Sequence, residues 1–310
     1  MIPVSPLPSA NSSYEYAEQN VFDAAKDCPR AIRKAFVDEG FIVVNNVSTP
    51  EARQNAVDFL HRKIEVCPEA SIQGFFEAYH DDTLAQLRQN PELVQTFATV
   101  WGCKELWVDF DRLIYMNEAN SDSVLPLHVD QNPHSQPDFS ATQGLLALKE
   151  CDESTGMLGV IPRSQHRFHE YRAWSDDRQG WVEYKGEDAS SRRDDLRAVP
   201  LKAGEMVIWD SRLTHSRCNP VPTDGKSRER ILAMISFAPA CRNEALRERR
   251  VSAFESGTGV YNHEAGLRKT AHSHVRSLRE SAENLTELGN KIYGITPWWT
   301  PANDGETPMH

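Results

Sequence analysis

Four residues of this chain have the types and the spacing of a metal-dependent oxidation site. His128 and Asp130 lie two positions apart within residues 125–133, and His215 comes much later in the chain. Two imidazoles and one carboxylate are the facial ligand set of non-haem Fe(II) sites, which leaves three metal positions open for a co-substrate and dioxygen. Arg230 opens a later apolar run, and a planar guanidinium can grip a carboxylate of such a co-substrate in bidentate fashion.

The His-x-Asp pair needs a strand beneath it to hold two ligands rigidly. Chance gives one or two His-x-acid pairs in a chain with 11 His and 45 Asp+Glu, and a second pair does occur at His80. We interpret His80 as part of a solvated loop or helix start, because a polar, helix-like stretch follows it. His128 instead follows 106–116, a run with the period-2 character of a strand. Residues i and i+2 of a strand point the same way, so His128 and Asp130 can reach one ion.

Alternatives remain for each member of the group. Zinc accepts the same ligands, although a zinc site more often uses a third His or Cys. His166 and His169 compete with His215, and a turn-stabilising role is our interpretation of both. Arg217 and Arg228 compete with Arg230, because Arg217 lies two residues after His215 and Arg228 lies in the loop that precedes the strand. We prefer Arg230 because it begins a strand and alternates with Leu232 and Met234, which gives its side chain a defined face.

Composition restricts the class of protein. With 310 residues, 39% of them hydrophobic, the chain can bury one sizeable core, and a single elaborated domain is expected. No apolar run approaches the roughly 20 residues of a membrane span, and the first residues lack the pattern of a secretory signal. The net charge of −11 argues against a nucleic-acid partner. Six cysteines without a C-x-x-C pair suit reduced thiols, so we expect a cytoplasmic protein. Because no apolar run is long enough to span a membrane, we expect no membrane partner.

The elements that must position the site change character along the chain. Helices are predicted near 29–39, from about 50, and near 91–100, with a short strand at 41–45. From about 105 to 239 the pattern becomes short strands separated by turns, which favours a sandwich or jelly roll over βαβ units. The candidate strands are 106–116, 143–149, 157–161, 198–201, 205–209 and 231–238.

The domain prediction follows from these patterns. Residues 1–20 are expected to form a flexible N-terminal segment, and 21–240 one oxygenase-type domain with its jelly-roll core at about 105–240. Within it, 165–196 is interpreted as an insertion. Residues 241–310 are expected to form a helical extension packed on the core. The stretch 242–279 within that extension is locally basic, either as a solvated helix face or as a rim for an anionic substrate.

Several segments together resemble the phytanoyl-CoA dioxygenase (PhyH-like) family of Fe(II)/2-oxoglutarate-dependent oxygenases. The matching segments occur in the family's order between about 35 and 240: Glu39-Gly-Phe-Ile-Val-Val, His128-Val-Asp, Thr155–His166, Leu201–Asn219 and the strand that Arg230 opens. The resemblance implies a mainly β fold with flanking helices around a double-stranded β-helix (jelly-roll, cupin-like) core. It also implies Fe(II) on His128, Asp130 and His215, with 2-oxoglutarate anchored by Arg230 and O2 as the oxidant.

The resemblance further implies a reaction but no particular substrate, because the family acts on acyl-CoA thioesters, amino acids and many specialised metabolites. We expect a C–H bond of a small molecule to be hydroxylated or otherwise oxidised, with release of succinate and CO2. Asp130 favours oxygenation, since related halogenases carry Gly or Ala at that position. The alternatives are an acyl-CoA or other anionic substrate held by the basic stretch, and a metal-binding jelly roll that serves as a sensor or scaffold without turnover.

Further residues are candidates for contacts with 2-oxoglutarate or with the substrate. Ser216 and Arg217 stand where the family often has Gly-Ser, and they are possible contacts of 2-oxoglutarate. Candidates for lining a substrate pocket are Tyr115, Asn117, Gln131 and Arg163, and the alternative for each of them is a packing role or a place at the rim.

Overall fold

The computed structural model of this chain describes residues 14–18, 21–67, 71–72, 74–76, 78–117, 125–176, 180–186, 189–221, 229–261, 268–270 and 282–300. In chain order its strands are β1 (Val21–Asp23), β2 (Phe41–Asn45), β3 (Ser71–Ile72), β4 (Phe75–Phe76), β5 (Leu106–Val108), β6 (Leu113–Met116), β7 (His128–Val129), β8 (Thr142–Ala147), β9 (Met157–Val160), β10 (Val182–Glu183), β11 (Arg197–Val199), β12 (Met206–Asp210), β13 (His215–Cys218), β14 (Arg230–Met234), β15 (Phe237–Pro239), β16 (Gly259–Tyr261) and β17 (Arg268–Thr270). The helices are α1 (Pro29–Glu39), α2 (Pro50–Val66), α3 (Asp82–Arg88), α4 (Pro91–Trp101), α5 (Ala189–Asp194), α6 (Glu244–Glu255) and α7 (Glu287–Tyr293), with a 3-10 helix at Ser164–Trp174.

Two sheets form the core of the molecule. The larger has eight strands in the order β1-β2-β12-β8-β14-β6-β4-β3, and the smaller has five in the order β10-β7-β13-β9-β11. The residues of β14 alternate between the two faces of the larger sheet. Leu232 and Met234 pack between the sheets, whereas Ile231 and Ala233 pack under the helices. This alternation gives the sheet two buried faces. The predicted mainly β, jelly-roll architecture with flanking helices is confirmed.

Local signals place the first helices as predicted. α1 begins at Pro29 and ends before Gly40, which adopts the left-handed conformation at φ 83°. The side chain of Thr49 caps α2 by accepting a hydrogen bond from the backbone N–H of Ala52. Asn90 caps α4 in the same way, through the N–H of Leu93. These helices cover the outer face of the larger sheet.

Two predicted strands are each divided between two sheets. The prediction of one strand at 106–116 is wrong, because β5 and β6 belong to different sheets, and 231–238 divides likewise into β14 and β15. The two segments pair with each other throughout and bend together. At the bend, Asp109 N–H donates to the carbonyl of Ser236. The pairing therefore continues while the direction of the ribbon changes, which period-2 patterning alone does not reveal.

The remaining segments add to the frame. Within 165–196, the chain forms most of the 3-10 helix, then β10 at the edge of the smaller sheet, then α5. After 240, α6 and α7 pack beside β5, and the indole of Trp298 donates to the carbonyl of Leu106 at 2.8 Å. The domain boundaries themselves stay predictions. Within the described residues, no helix is both long and apolar enough to cross a membrane.

Candidate metal centre

Neighbouring strands of the smaller sheet bring His128, Asp130 and His215 together. His215 in β13 pairs directly with His128 in β7, and the ring centroids lie 4.2 Å apart. Asp130 follows β7, where its backbone N–H donates to the carbonyl of Ser211 at 3.0 Å. The side chains offer one ligand atom each, and these three atoms all lie within 4.8 Å of one another. The predicted grouping is therefore a cluster in space.

Backbone carbonyls orient both imidazoles toward Asp130. Nδ1 of His128 lies 2.8 Å from the carbonyl oxygen of Pro126, and Nδ1 of His215 lies 2.9 Å from that of Leu213. A proton on each Nδ1 satisfies these contacts and leaves the Nε2 lone pairs for a metal. The Nε2 atoms lie 3.7 Å and 3.1 Å from carboxylate oxygens of Asp130. The donor set and its orientation fit a divalent cation.

Gln143 is a member of the site that sequence reasoning missed. It lies in β8 of the facing sheet, and its amide Nε2 donates to Oδ2 of Asp130 at 2.5 Å. This bond fixes the carboxylate from the side opposite to its strand. The available signal was a polar residue at the start of the predicted apolar strand 143–149, but nothing in the sequence connects that residue to Asp130.

Burial sets the charge state of the centre. Only 8% of the His128 side chain and 5% of the His215 side chain are exposed, against 22% for Asp130. Burial, and secondarily the neighbouring His215, lower the pKa of His128 to about 4, although Asp130 acts in the opposite direction. The imidazole is thus neutral near pH 7, which is the state that binds a metal. The greater exposure of Asp130 marks the open side of the centre.

The competing pair at His80 has a different role from the predicted one. The interpretation of His80 as solvated is wrong, because only 1% of it is exposed. Its ring packs edge-on against Phe110 and Phe254, and its Nε2 lies 3.0 Å from the carbonyl oxygen of Thr258. Burial lowers its pKa to about 3. His80 is a core histidine that contacts the C-terminal elements, and it belongs to no metal-binding group among the described residues.

Arg230 is buried between the two sheets without a carboxylate partner among the described residues. Its exposed fraction is 5%, its Nη1 lies 3.9 Å from Sδ of Met116, and its Nε has no hydrogen-bond partner in that part of the chain. The adjacent Glu229 pairs instead with Lys149 and with His61 at 2.7 Å. A buried guanidinium can bind an anion, so Arg230 stays the candidate for that role. The alternative Arg228 lies outside the described residues.

Arg217 also points into the space between the sheets. It follows His215 by two residues, so both share a face of β13. Its Nη1 lies 3.4 Å from Sδ of Met116, the same atom that Arg230 contacts, and its Nε donates to Asn219. Ser216 faces the other side, where its hydroxyl donates to the carbonyl of Leu125 at 2.6 Å. The geometry therefore favours Arg217 over Ser216 as a second contact for an anion beside Arg230.

The four residues expected in a substrate pocket lie in different surroundings. Tyr115 packs on the helix side of the larger sheet, edge-on to His61, and Asn117 contacts its hydroxyl at 3.5 Å. The amide of Gln131 is fully buried and bonds to backbone atoms of residues 136–140. Arg163 forms a surface ion pair with Glu39. None of these contacts is with the side chain of His128, Asp130 or His215, and a place for the four residues in a substrate pocket stays a prediction.

Comparison with known proteins gives a family and a fold. The family model described as phytanoyl-CoA dioxygenase (PhyH) matches residues 35–217. A curated relative, the Ava biosynthesis cluster protein O of Aspergillus versicolor, is 23% identical over 60% of this chain and 71% of its own length.

Solved structures share the fold at low identity. GlcNAc Inducible Gene 2 of Candida albicans is similar with a TM-score of 0.66 and 15% identity, over 92% of this chain and 81% of that one. HygX of Streptomyces hygroscopicus, solved with nickel and 2-oxoglutarate bound, has a TM-score of 0.52 and 14% identity over 69% of this chain and 88% of its own. These likenesses support the same two-sheet architecture.

Proposed function

This chain belongs to the phytanoyl-CoA dioxygenase (PhyH) family, and from that premise we propose that it is an Fe(II)- and 2-oxoglutarate-dependent oxygenase. Its reaction is the oxidation of a C–H bond in a small molecule. The observation that carries the proposal is the presence of two complementary groups of side chains in one part of the fold. Three ligands converge with their metal-binding atoms inward, and a buried arginine without a carboxylate partner among the described residues lies between the same two sheets.

His128, Asp130 and His215 would hold the metal through Nε2, a carboxylate oxygen and Nε2. Bound Fe(II), with 2-oxoglutarate and O2, supplies the oxidising chemistry and yields succinate and CO2. The protein contributes fixed geometry: the carbonyls of Pro126 and Leu213 orient the imidazoles, so the ligands need little rearrangement when the metal enters. Ligands that are already held in the binding geometry raise the affinity for the metal, because little conformational freedom is lost on binding.

Arg230 would bind the distal carboxylate of 2-oxoglutarate. Low solvent exposure strengthens that ion pair, because less water competes for the charges. Arg217 would contact the same carboxylate, since both guanidinium groups reach Sδ of Met116. The arrangement favours a co-substrate with an anionic end, and the thioether and the apolar residues around it exclude water from that end.

HygX, which shares the fold, was solved with 2-oxoglutarate bound, which supports the same co-substrate here. The substrate class is supported by the relative from Aspergillus versicolor, which is named for a biosynthesis cluster. We therefore take the substrate to be a specialised metabolite or an amino-acid-like compound. All six cysteines are free, which suits a cytoplasmic enzyme.

Succinate release tests the proposed reaction. Purified protein with Fe(II), ascorbate and 2-oxoglutarate is expected to form succinate, and a pool of small metabolites should raise the rate. Asp130→Ala is expected to reduce the release at least 100-fold, because the metal loses its only charged ligand in the set. Glu65→Gln, at an exposed glutamate of α2, is the matched control. Succinate release that Asp130→Ala leaves unchanged would disprove the assignment of the site.

A further inference from the structure

The edge strand β10 presents two side chains to the metal side of the smaller sheet. Its Glu183 pairs directly with His128, and directly paired residues of antiparallel strands carry their side chains on the same face. Trp181 precedes the strand, and its indole meets the ring of His128 edge-on with centroids 5.3 Å apart. Because β10 ends the sheet order, these side chains lie at the edge of the smaller sheet, beside His128.

The strand that carries them is held in place from its other face. Val182, between the two, is 1% exposed and packs with Val129, Phe168 and Tyr171. The backbone N–H of Tyr184 donates to the carbonyl of Leu127 at 2.8 Å. Trp181 and Glu183 therefore stand on a fixed element, as residues that select a substrate require.

Among the residues that the structure describes, neither side chain has all of its binding capacity used. Trp181 is 48% exposed although it adjoins a histidine that is 6% exposed. Glu183 is partly buried, and it forms no hydrogen bond or ion pair with any described residue. A partly desolvated carboxylate without a partner is unfavourable, and so is an indole exposed to water. Both costs are removed by a ligand that offers a positive charge and an apolar surface.

We propose that Trp181 and Glu183 recognise a cationic nitrogen of the substrate, either a protonated or a quaternary amine; this rests on the proposed oxygenase function. An aromatic ring and a carboxylate are the groups that bind ammonium ions, by cation–π attraction and by a charge-assisted contact. The two ends of the site then differ in sign: Arg230 and Arg217 hold an anionic co-substrate, and Glu183 holds a cationic substrate. The net charge of −11 favours the approach of a cation.

Matched probes separate charge from shape. Choline, its neutral isostere 3,3-dimethyl-1-butanol and the anion 3,3-dimethylbutyrate are titrated by calorimetry into the anaerobic protein loaded with Fe(II) and 2-oxoglutarate, and into the metal-free protein. Choline is expected to bind at least tenfold more tightly than either other probe. Glu183→Gln should reduce choline affinity at least fivefold and leave the neutral probe unchanged. Trp181→Leu should weaken choline by a similar factor, and the control Glu65→Gln should have no effect.

The outcomes separate this inference from the proposed function. Equal binding of the three probes, no measurable choline binding, or a preference that survives both variants would overturn it. Thermal unfolding midpoints of the variants within a few degrees of the wild type exclude misfolding as the cause of a loss. The proposed function is read without any probe, from the absorption of the Fe(II)–2-oxoglutarate complex, so either conclusion can fail while the other stands.

Discussion

At the scale of single residues, the centre depends on contacts that hold its ligands as much as on the ligands themselves. Each imidazole is fixed through Nδ1 by a carbonyl two residues earlier, and Asp130 is fixed by Gln143 from the facing sheet. Such outer contacts usually change metal affinity by about 10- to 100-fold. They are the part of the site most open to mutational test.

Gln143→Leu is expected to weaken Fe(II) binding about tenfold with little effect on folding. The variant removes the hydrogen bond to Asp130 while keeping an apolar side chain of similar volume in β8. Metal titration followed by calorimetry measures the change. The control is Gln54→Leu, since Gln54 is exposed on α2 and its amide donates to Asp58 one helical turn away. Equal affinities for Gln143→Leu and wild type would show that Gln143 does not position Asp130.

Arg230→Leu is expected to raise the KM for 2-oxoglutarate roughly 10- to 100-fold, which is the usual loss for one buried hydrogen-bonded charge. Arg217→Leu is expected to have a smaller effect in the same direction. Arg242→Leu is the control, because Arg242 pairs with Glu105 on the surface. The arginine assignment fails if the KM is the same in Arg230→Leu and in the control.

The sequence indicated which side chains cluster in space better than it indicated the contacts that hold them. His128 and Asp130 share a short motif, and family-like segments identify His215 and Arg230. Gln143 and Trp181 have no such signal, because their partners lie on other strands and the pairing is decided by the folded sheets. His80 was misjudged for the same reason: its burial comes from Phe254 and Thr258, more than 170 positions away along the chain.

At the scale of elements, local signals worked wherever the chain itself decides the structure. Prolines, capping side chains and Gly40 placed α1, α2 and α4 closely, since these signals act within one turn of helix. The sequence carries less information on which strands pair and on which sheet each strand belongs to. A ribbon that bends from one sheet into another keeps its apolar alternation, so 106–116 was predicted as a single strand.

Gly40 connects one of these elements to the metal centre. Its left-handed conformation ends α1, and a Cβ added there would meet Gln165 and, at 2.6 Å, Cδ1 of Leu213, whose carbonyl holds His215. Gly40→Ala is expected to cost about 2 kcal/mol or more of unfolding free energy, from the left-handed backbone and the clash together, and to weaken Fe(II) binding. Urea unfolding and metal titration measure both effects.

Gly102→Ala is the matched control, because Gly102 also ends a helix at φ 67° but the three atoms nearest to its added Cβ all belong to the end of the flexible Arg33 side chain. It should lose about 1 kcal/mol and keep its metal affinity. Equal losses in both variants, with unchanged metal binding, would contradict the connection between Gly40 and His215.

At the scale of the whole molecule, a buried polar cluster joins the C-terminal elements to the rest of the protein. His80 is part of it, beside the fully buried Arg250 of α6 and the buried Arg88 of α3, which donates to backbone carbonyls of Tyr79 and Asp111. The guanidinium of Arg250 lies 4.6 Å from the ring centroid of Phe110. The described arginines of the basic stretch are thus partly structural, since Arg250 is internal and Arg247 pairs with Glu244.

The lowered pKa of His80 makes the free energy of unfolding depend on pH. Its pKa is about 3 in the folded protein, below the ordinary 6.5, so between these values the unfolded chain binds a proton that the folded protein does not. The contribution of the neutral, buried His80 to the free energy of unfolding is therefore fully present above pH 6.5. It is lost progressively as the pH falls toward 3. Between pH 7 and pH 5, wild type should lose about 2 kcal/mol more unfolding free energy than His80→Phe. Urea unfolding at both pH values checks this, and equal losses would contradict it.

Anaerobic titration of Fe(II) into the protein with 2-oxoglutarate tests the central claim most directly. We expect a visible charge-transfer band that saturates at one Fe(II) per chain, requires 2-oxoglutarate, and is absent from His215→Ala. Glu65→Gln should give the wild-type band. A chain that binds no Fe(II), or a band that persists in His215→Ala, would contradict a metal centre built from His128, Asp130 and His215.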